Sequence, residues 1–221
     1  MTGGAQQTPW IDFNLYLITD RRQAHDRPLV EVIEDALRGG VRAVQLREKD
    51  MTSRACYELA YDLRKLTARY GARLFINDRV DIALAVDADG VHLGGESLPI
   101  YRARKILGER KLIGVSCHNQ VSAITAQEKG ADFITFGPVY NTTSKAQYGQ
   151  PLGIGKLEEV ARILMIPVFA LGGINRGNTP EVIAAGASGV ALISAVIAAD
   201  NPREEAQKLL SLISSHYDHQ D

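Results

Sequence analysis

Eight short apolar runs alternate with stretches of helical periodicity, and this alternation constrains the fold more than any other feature of the chain. The runs span residues 14–19, 43–47, 73–77, 90–93, 112–116, 133–137, 167–171 and 189–193. Short strand-type runs separated by helices are typical of parallel α/β folds. Eight such units in 221 residues predict one closed (β/α)8 barrel, the TIM-barrel fold, rather than an open sheet.

Composition and the chain ends narrow the class of protein further. We expect a flexible N-terminal tail over 1–11, the barrel over 12–215 and a frayed C-terminus over 216–221. With 25 basic and 26 acidic residues and no basic stripe, the chain is not expected to bind nucleic acid or a membrane surface. Two cysteines and no long apolar segment favour a cytoplasmic location. The oligomeric state stays open, a homo-oligomer included.

The last two strand-type runs end in small residues. Residues 168–174 read Val-Phe-Ala-Leu-Gly-Gly-Ile, and residues 189–195 read Gly-Val-Ala-Leu-Ile-Ser-Ala. In (β/α)8 barrels the loops after strands seven and eight often form a phosphate site, because small residues let backbone N–H groups approach an anion. The pair therefore predicts a phosphate-binding site at strands seven and eight, and a substrate that carries phosphate.

Polar residues alternate with apolar ones at the end of the second run. Gln45, Arg47 and Lys49 share one face if the strand alternation continues, while Val44 and Leu46 suit the face that packs on helices. Two cations and an amide at the barrel mouth would bind a diphosphate, arginine as a fork and lysine as a point charge. The alternative is a solvated strand end at which Glu48 pairs with a neighbouring cation.

The third run ends in an amide and a carboxylate, Asn77 and Asp78. Beside a diphosphate they indicate a Mg²⁺ site, because Mg²⁺ is commonly held by one or two carboxylates together with substrate phosphates. The alternative is that Asp78 caps the following helix, a frequent role for an aspartate after a strand.

Taken together, these runs resemble the thiamin phosphate synthase family, which also contains the TenI-type thiazole tautomerases. The resemblance extends from Leu15 to about Ala198. Matching runs lie at 15–20, 44–49, 76–83, 89–94, 113–118 and 137–145, in addition to the two phosphate runs.

The resemblance implies that the chain joins hydroxymethylpyrimidine diphosphate to thiazole phosphate and releases diphosphate. The implied contacts to the pyrimidine diphosphate are Gln45, Arg47, Lys49, Asn77, Ser116 and Lys145. The implied contacts to the thiazole phosphate are Thr142, Ser144, Gly173, Ile193 and Ser194. Ser116, near the reacting carbon, and Lys145, on the diphosphate, are candidate catalytic residues, and Asp78 would bind the Mg²⁺ cofactor.

The metal site is where the chain departs from the family pattern. Synthases usually follow the fourth strand with Gly-Gln-Glu-Asp, and that aspartate is a second Mg²⁺ ligand, but here the run is Gly-Gly-Glu-Ser over residues 94–97. Ser97 therefore stands at a ligand position, and Arg79 stands where many synthases carry another aspartate. Glu96 offers a substitute carboxylate one residue away.

These departures keep two other functions open. The tautomerase branch lacks the full metal site and uses a histidine near the end of the fifth strand, a position that His118 holds as a third candidate catalytic residue. A non-catalytic thiamin-phosphate sensor would keep the phosphate site without turnover. The complete set of Gln45, Arg47 and Lys49 favours the synthase, because a tautomerase has no diphosphate to bind.

Overall fold

The computed structural model describes residues 11–142 and 150–217, with side chains described as far as Ser215. Eight parallel strands close into a barrel in which each strand pairs with its sequence neighbours and β1 pairs with β8. The strands are β1 (Leu15–Ile18), β2 (Ala43–Leu46), β3 (Arg73–Asn77), β4 (Gly90–Leu93), β5 (Leu112–Cys117), β6 (Phe133–Phe136), β7 (Val168–Leu171) and β8 (Gly189–Leu192). The predicted closed barrel is confirmed.

Helices follow the strands and surround the barrel. They are α1 (Leu29–Arg38), α2 (Ser53–Arg69), α3 (Val80–Ala85), α4 (Ile100–Leu107), α5 (Gln120–Glu128), α6 (Ile154–Ile163), α7 (Thr179–Ala184), α8 (Ser194–Ile197) and α9 (Pro202–Tyr217). The short α8 lies between β8 and the long α9. A 3-10 turn at Arg21–Gln23 follows β1. None of the described helices combines the length and apolar character needed to cross a membrane.

Strand alternation divides the core into two clusters. Side chains such as Leu15, Leu17, Val44 and Leu46 face outward and pack with the helices. The inward side chains fill the barrel and include a layer of rings with centroids 5.2–6.2 Å apart: Phe13, Tyr16, Phe75, Phe133 and Phe169. This layer of rings fills the interior of the barrel beneath its mouth.

The predicted terminal segments fall largely outside the described residues. Of the tail predicted over 1–11, Ile11 is described, and it packs against the interior cluster. At the other end α9 continues to Tyr217, two residues into the predicted frayed segment.

Candidate active site

Three adjoining cavities lie in a row at the carboxyl ends of the strands. We call them the phosphate corner, after β7 and β8, the central cavity, above the barrel interior, and the outer cavity, beyond β2 and β3. Leu171 and Ile193 line both the phosphate corner and the central cavity, and Asn77 lines both the central and the outer cavity. A ligand, or two ligands together, can therefore extend along the row.

The phosphate corner is built from glycines in the left-handed region. Gly172 and Gly173 have φ values of 98° and 68°. A Cβ on Gly173 would lie 2.5 Å from the Asn141 carbonyl oxygen, so the approach of these two segments requires glycine. Within the described residues the backbone N–H groups of Gly173 and Ser194 donate no hydrogen bond. Four of the predicted thiazole-phosphate contacts line this cavity: Thr142, Gly173, Ile193 and Ser194.

The segment after β6 is held against β7 and α7. Its backbone N–H groups at Val139 and Tyr140 donate to the carbonyls of Leu171 and Gly172, at 2.9 and 3.0 Å. The Tyr140 hydroxyl donates to Glu181 Oε2 at 2.7 Å. Burial and this hydrogen bond raise the pKa of Tyr140 to about 12. The segment thereby brings Thr142 to the corner, whereas Ser144 and Lys145 lie outside the described residues.

Gln45 contributes a buried acceptor to the central cavity. The residue is 1 % exposed, and its Nε2 donates to Asn77 Oδ1 at 2.9 Å. Its Oε1 has no hydrogen-bond partner among the described residues. A buried unsatisfied acceptor costs about 1–3 kcal/mol. The cavity therefore favours a ligand that offers a hydrogen-bond donor to Gln45.

Ser116 lines the same cavity and contacts His92 in the barrel interior. Its Oγ lies 3.0 Å from His92 Nε2, and the Tyr16 hydroxyl lies 3.4 Å from His92 Nδ1. Complete burial raises the pKa of Tyr16 well above its ordinary value, so the phenol stays protonated. His92 lies on β4 and packs against Tyr16 and Phe133 inside the barrel. Its contact with Ser116 joins two strands and leaves no signature in local sequence.

Arg47 and Glu48 directly follow β2, and their side chains have different surroundings. Arg47 lines the central cavity, and within the described residues its guanidinium forms no hydrogen bond or ion pair. Glu48 instead accepts from Arg21 twice, at 3.0 Å from the backbone and 2.9 Å from the guanidinium. The pairing of Glu48 with a cation, named in the alternative interpretation, is therefore present, and it leaves Arg47 available to a ligand in the central cavity.

The strand alternation predicted Lys49 beside Gln45 and Arg47, and this prediction is wrong. Lys49 lines the outer cavity together with Asp78 and Arg79. The physical reason is that β2 ends at Leu46, so a turn rather than a strand sets the direction of Lys49. Arg79 is itself occupied, donating to both carboxylate oxygens of Asp81 at 2.8 and 2.6 Å and to Ser53 Oγ at 3.0 Å.

Asp78 and Ser97, the two predicted metal positions, meet in the structure. The Asp78 backbone has a φ of 60°, and its Oδ2 accepts from Asn77 Nδ2 at 2.7 Å. Its Oδ1 accepts a hydrogen bond from the Ser97 hydroxyl. Helix α3 is capped at Arg79 without a side-chain hydrogen bond, so the alternative interpretation of Asp78 as a helix cap is wrong.

The donor set near Asp78 fits a Mg²⁺ ion only together with a phosphate ligand. Among residues 11–142 and 150–217, no three His, Cys, Asp or Glu side chains come together as a metal site. Asp78 supplies one carboxylate, Ser97 a hydroxyl, and Glu96 is exposed. One carboxylate is within the range that Mg²⁺ uses when substrate phosphates complete its shell.

His118 directly follows β5, and hydrogen bonds hold it to neighbouring segments of the fold. Its Nδ1 donates to the Gly137 carbonyl, and its backbone N–H lies 3.3 Å from Ser122 Oγ. Within the described part of the chain, His118 does not line any of the three cavities. A catalytic role for His118 stays a prediction.

Comparisons with known proteins agree along nearly the whole chain. The family model described as thiamine monophosphate synthase matches residues 15–196. A putative thiamine-phosphate synthase of Geobacter sulfurreducens is 62 % identical over 203 residues, 92 % of this chain and 95 % of the relative. The thiamine-phosphate synthase of Clostridium novyi is 43 % identical over 91 % of this chain and 99 % of its own.

A solved structure shares both the fold and a substantial part of the sequence. The thiamine phosphate pyrophosphorylase from Pyrococcus furiosus superimposes with a TM-score of 0.85 at 41 % identity. The match covers 92 % of this chain and 96 % of that one.

Proposed function

The chain belongs to the thiamine monophosphate synthase family, and from that membership we propose that it is a transferase that makes thiamin phosphate. Its substrates are hydroxymethylpyrimidine diphosphate and thiazole phosphate, and diphosphate is the second product. The observation that carries the proposal is the row of three cavities. A phosphate corner lies at one end, cations and a carboxylate lie at the other, and a buried acceptor lies between them.

The row supports a matching arrangement of the two substrates. The thiazole phosphate would lie with its phosphate against the N–H groups of Gly173 and Ser194. The pyrimidine ring would occupy the central cavity between Gln45 and Ser116, with its diphosphate toward Arg47, Lys49 and Asp78. The reacting carbon and the thiazole nitrogen would then meet near Leu171 and Ile193, where the cavities join.

The reaction exchanges one bond to the pyrimidine methylene carbon for another. The carbon–oxygen bond to diphosphate breaks and its electron pair leaves with the diphosphate, while the thiazole nitrogen supplies the pair for the new carbon–nitrogen bond. Arg47 and Lys49 stabilise the negative charge where it develops. No protein nucleophile is required, because the aminopyrimidine delocalises positive charge on the carbon. Cys117 suits no such role, since burial raises the pKa of its thiol to about 12.

Mg²⁺ is proposed as the cofactor, held by Asp78 together with diphosphate oxygens and water. Bound there, it would stabilise the negative charge that develops on the leaving diphosphate. The hydroxyl of Ser97 holds Asp78 in place but brings no second negative charge. We therefore expect Mg²⁺ to bind weakly to the protein alone and more tightly once the diphosphate is present.

The test is turnover by purified protein supplied with both substrates and Mg²⁺, with thiamin phosphate measured directly. We expect product that disappears with EDTA. Binding of thiazole phosphate without product would favour the sensor or the tautomerase instead, and isomerisation of carboxythiazole phosphate would then establish the latter.

An arginine pair provides a matched control for the diphosphate end. Arg47→Ala should lower kcat/KM by roughly ten- to a hundredfold, because a hydrogen bond to a charged group contributes about 1.5–3 kcal/mol. Arg69→Ala removes an exposed arginine from the last turn of α2, at the opposite end of the barrel, and should leave kcat/KM unchanged. Equal effects of the two substitutions would refute the placement of the diphosphate beside Arg47.

A further inference from the structure

A chain of hydrogen bonds runs from Asp78 through Asn77 to Gln45. We infer that Asp78 is a positioning residue that determines which end of the Gln45 amide faces the central cavity. It thereby makes the cavity select a ring that carries an amino group over one that carries an oxo group. The inference rests on the proposed function only for the identity of that ring, an aminopyrimidine.

The polarity of the chain originates at Asp78, because a carboxylate can only accept hydrogen bonds. Ser97 Oγ accepts from the Gly94 backbone N–H at 2.6 Å, and its own hydrogen is therefore available for Asp78 Oδ1. Asp78 Oδ2 then takes a hydrogen from Asn77, whose Nδ2 lies 2.7 Å away. The opposite orientation of the Asn77 amide would set two oxygen acceptors against each other.

The orientation of Asn77 in turn determines that of Gln45. With its Nδ2 directed at Asp78, Asn77 presents Oδ1 to Gln45, and only the Nε2 end of Gln45 can donate to it, at 2.9 Å. The Oε1 atom of Gln45 is left without a hydrogen-bond partner among the described residues, in a residue that is only 1 % exposed. Two amides thus transmit the acceptor character of Asp78 to the central cavity.

The free oxygen of Gln45 distinguishes between pyrimidines of nearly the same shape. A 4-aminopyrimidine offers an N–H to Oε1, whereas a pyrimidin-4-one places a carbonyl oxygen where that N–H would be. Buried polar sites discriminate strongly against a ligand that leaves their groups unpaired. We expect the wild-type chain to prefer the amino ring by about tenfold or more.

Replacing Asp78 by asparagine should reverse this polarity. Ser97 still donates to the oxygen of the new amide, so the nitrogen occupies the position of the former Oδ2 and donates to Asn77. Asn77 then turns its Nδ2 toward Gln45, and Gln45 turns its own Nε2 toward the cavity. Because asparagine tolerates the left-handed φ of this position about as well as aspartate, the substitution suits the backbone.

The experiment measures binding of two unreactive rings, 4-amino-2-methylpyrimidine and 2-methylpyrimidin-4-one, by ligand-observed NMR titration in EDTA. Neither ring carries phosphate and no metal is present, so any role of Asp78 toward Mg²⁺ does not affect the result. Wild type should prefer the amino ring, and Asp78→Asn should lose that preference or prefer the oxo ring. Thermal unfolding of each variant verifies that it is folded.

Two further variants serve as controls. Asp81→Asn makes the same chemical change on α3, where Asp81 pairs with Arg79 outside the chain of amides, and should keep the amino preference. Ser97→Ala removes the donor to Asp78 but keeps the carboxylate, so its preference should also remain. A general disturbance around Asp78 would instead weaken the preference in Ser97→Ala as well.

An unchanged amino preference in Asp78→Asn would overturn the inference, as would a wild-type chain that prefers neither ring or binds neither. The proposed function is tested separately by formation of thiamin phosphate. Turnover by the wild type together with an unchanged preference in Asp78→Asn would leave the synthase standing and remove only the role given to Asp78.

Discussion

At the residue scale, Gly173 combines a left-handed φ of 68° with no room for a Cβ, which would also lie 2.7 Å from the Tyr140 Cβ. We expect Gly173→Ala to lower the free energy of unfolding by about 1–3 kcal/mol and to raise the KM for thiazole phosphate. Gly155→Ala is the control, because a Cβ there meets nothing within 4 Å in helix α6. Chemical denaturation of both variants measures the free energy of unfolding, and steady-state kinetics measures the KM. Equal stabilities of the two variants would contradict the prediction.

Lys49 provides a second prediction at this scale. Because it lies in the outer cavity, apart from the phosphate corner, Lys49→Ala should weaken use of the pyrimidine diphosphate while binding of thiazole phosphate persists. The readouts are the KM for the diphosphate substrate and the Kd for thiazole phosphate. Lys65→Ala on α2, where the lysine lies over the Tyr61 ring, is the control. Equal loss of both ligands in Lys49→Ala would show that the cavities do not divide the substrates in this way.

At the element scale, the last helix starts at a side-chain cap. Asn201 Oδ1 accepts from the Glu204 backbone N–H at 3.1 Å, immediately before α9 begins at Pro202. Helix α9 packs against α1 and α7 and so closes the ring of helices. Asn201→Ala should lower the free energy of unfolding by about 1 kcal/mol, measured by urea denaturation. Gln207→Ala, at an exposed position of the same helix, should change the free energy of unfolding by less than about 0.5 kcal/mol.

Helix caps also show where sequence reasoning stops at this scale. The cap at Asn201 is predictable, because an asparagine stands directly before a proline and a glutamate follows three residues later. Thr179 stands before Pro180 in the same way, but it is the first residue of α7, not its cap, and its hydroxyl donates to the Asn175 carbonyl at 2.7 Å. A preceding turn, not the local residues, decides where α7 begins.

At the scale of the whole molecule, ion pairs predict the response to acid. Hydrogen bonds from Arg73 and Lys111 hold the pKa values of Asp12 and Asp87 below their ordinary value of 3.8. A carboxyl whose pKa is lower when folded stabilises the fold above the unfolded pKa and loses that contribution as the pH falls through the folded one. Stability should therefore stay level from neutral pH to about pH 5 and fall below about pH 4.

The measurement is the urea midpoint as a function of pH in low and high salt. Salt should reduce the effect, because these carboxylates are largely exposed and screening weakens their ion pairs. Asp12→Asn should show a shallower acid dependence than wild type. Asp62→Asn, at an exposed carboxylate on α2 that forms no ion pair within the described residues, should match wild type. Identical acid slopes for wild type and Asp12→Asn would contradict the role of the Asp12–Arg73 pair.

The sequence by itself determined the barrel, the inward direction of Gln45 and the phosphate corner. These features follow from residues close together in the chain, since strand periodicity and small residues at a turn act locally. Only the tertiary structure decided that Lys49 leaves the central cavity, that Glu48 pairs with Arg21, and that Ser97 meets Asp78. Lys49 takes its direction from the turn after β2, whereas each of the other two contacts joins residues from different strands or loops. Their distances are set by closure of the barrel, which no local pattern of residues encodes.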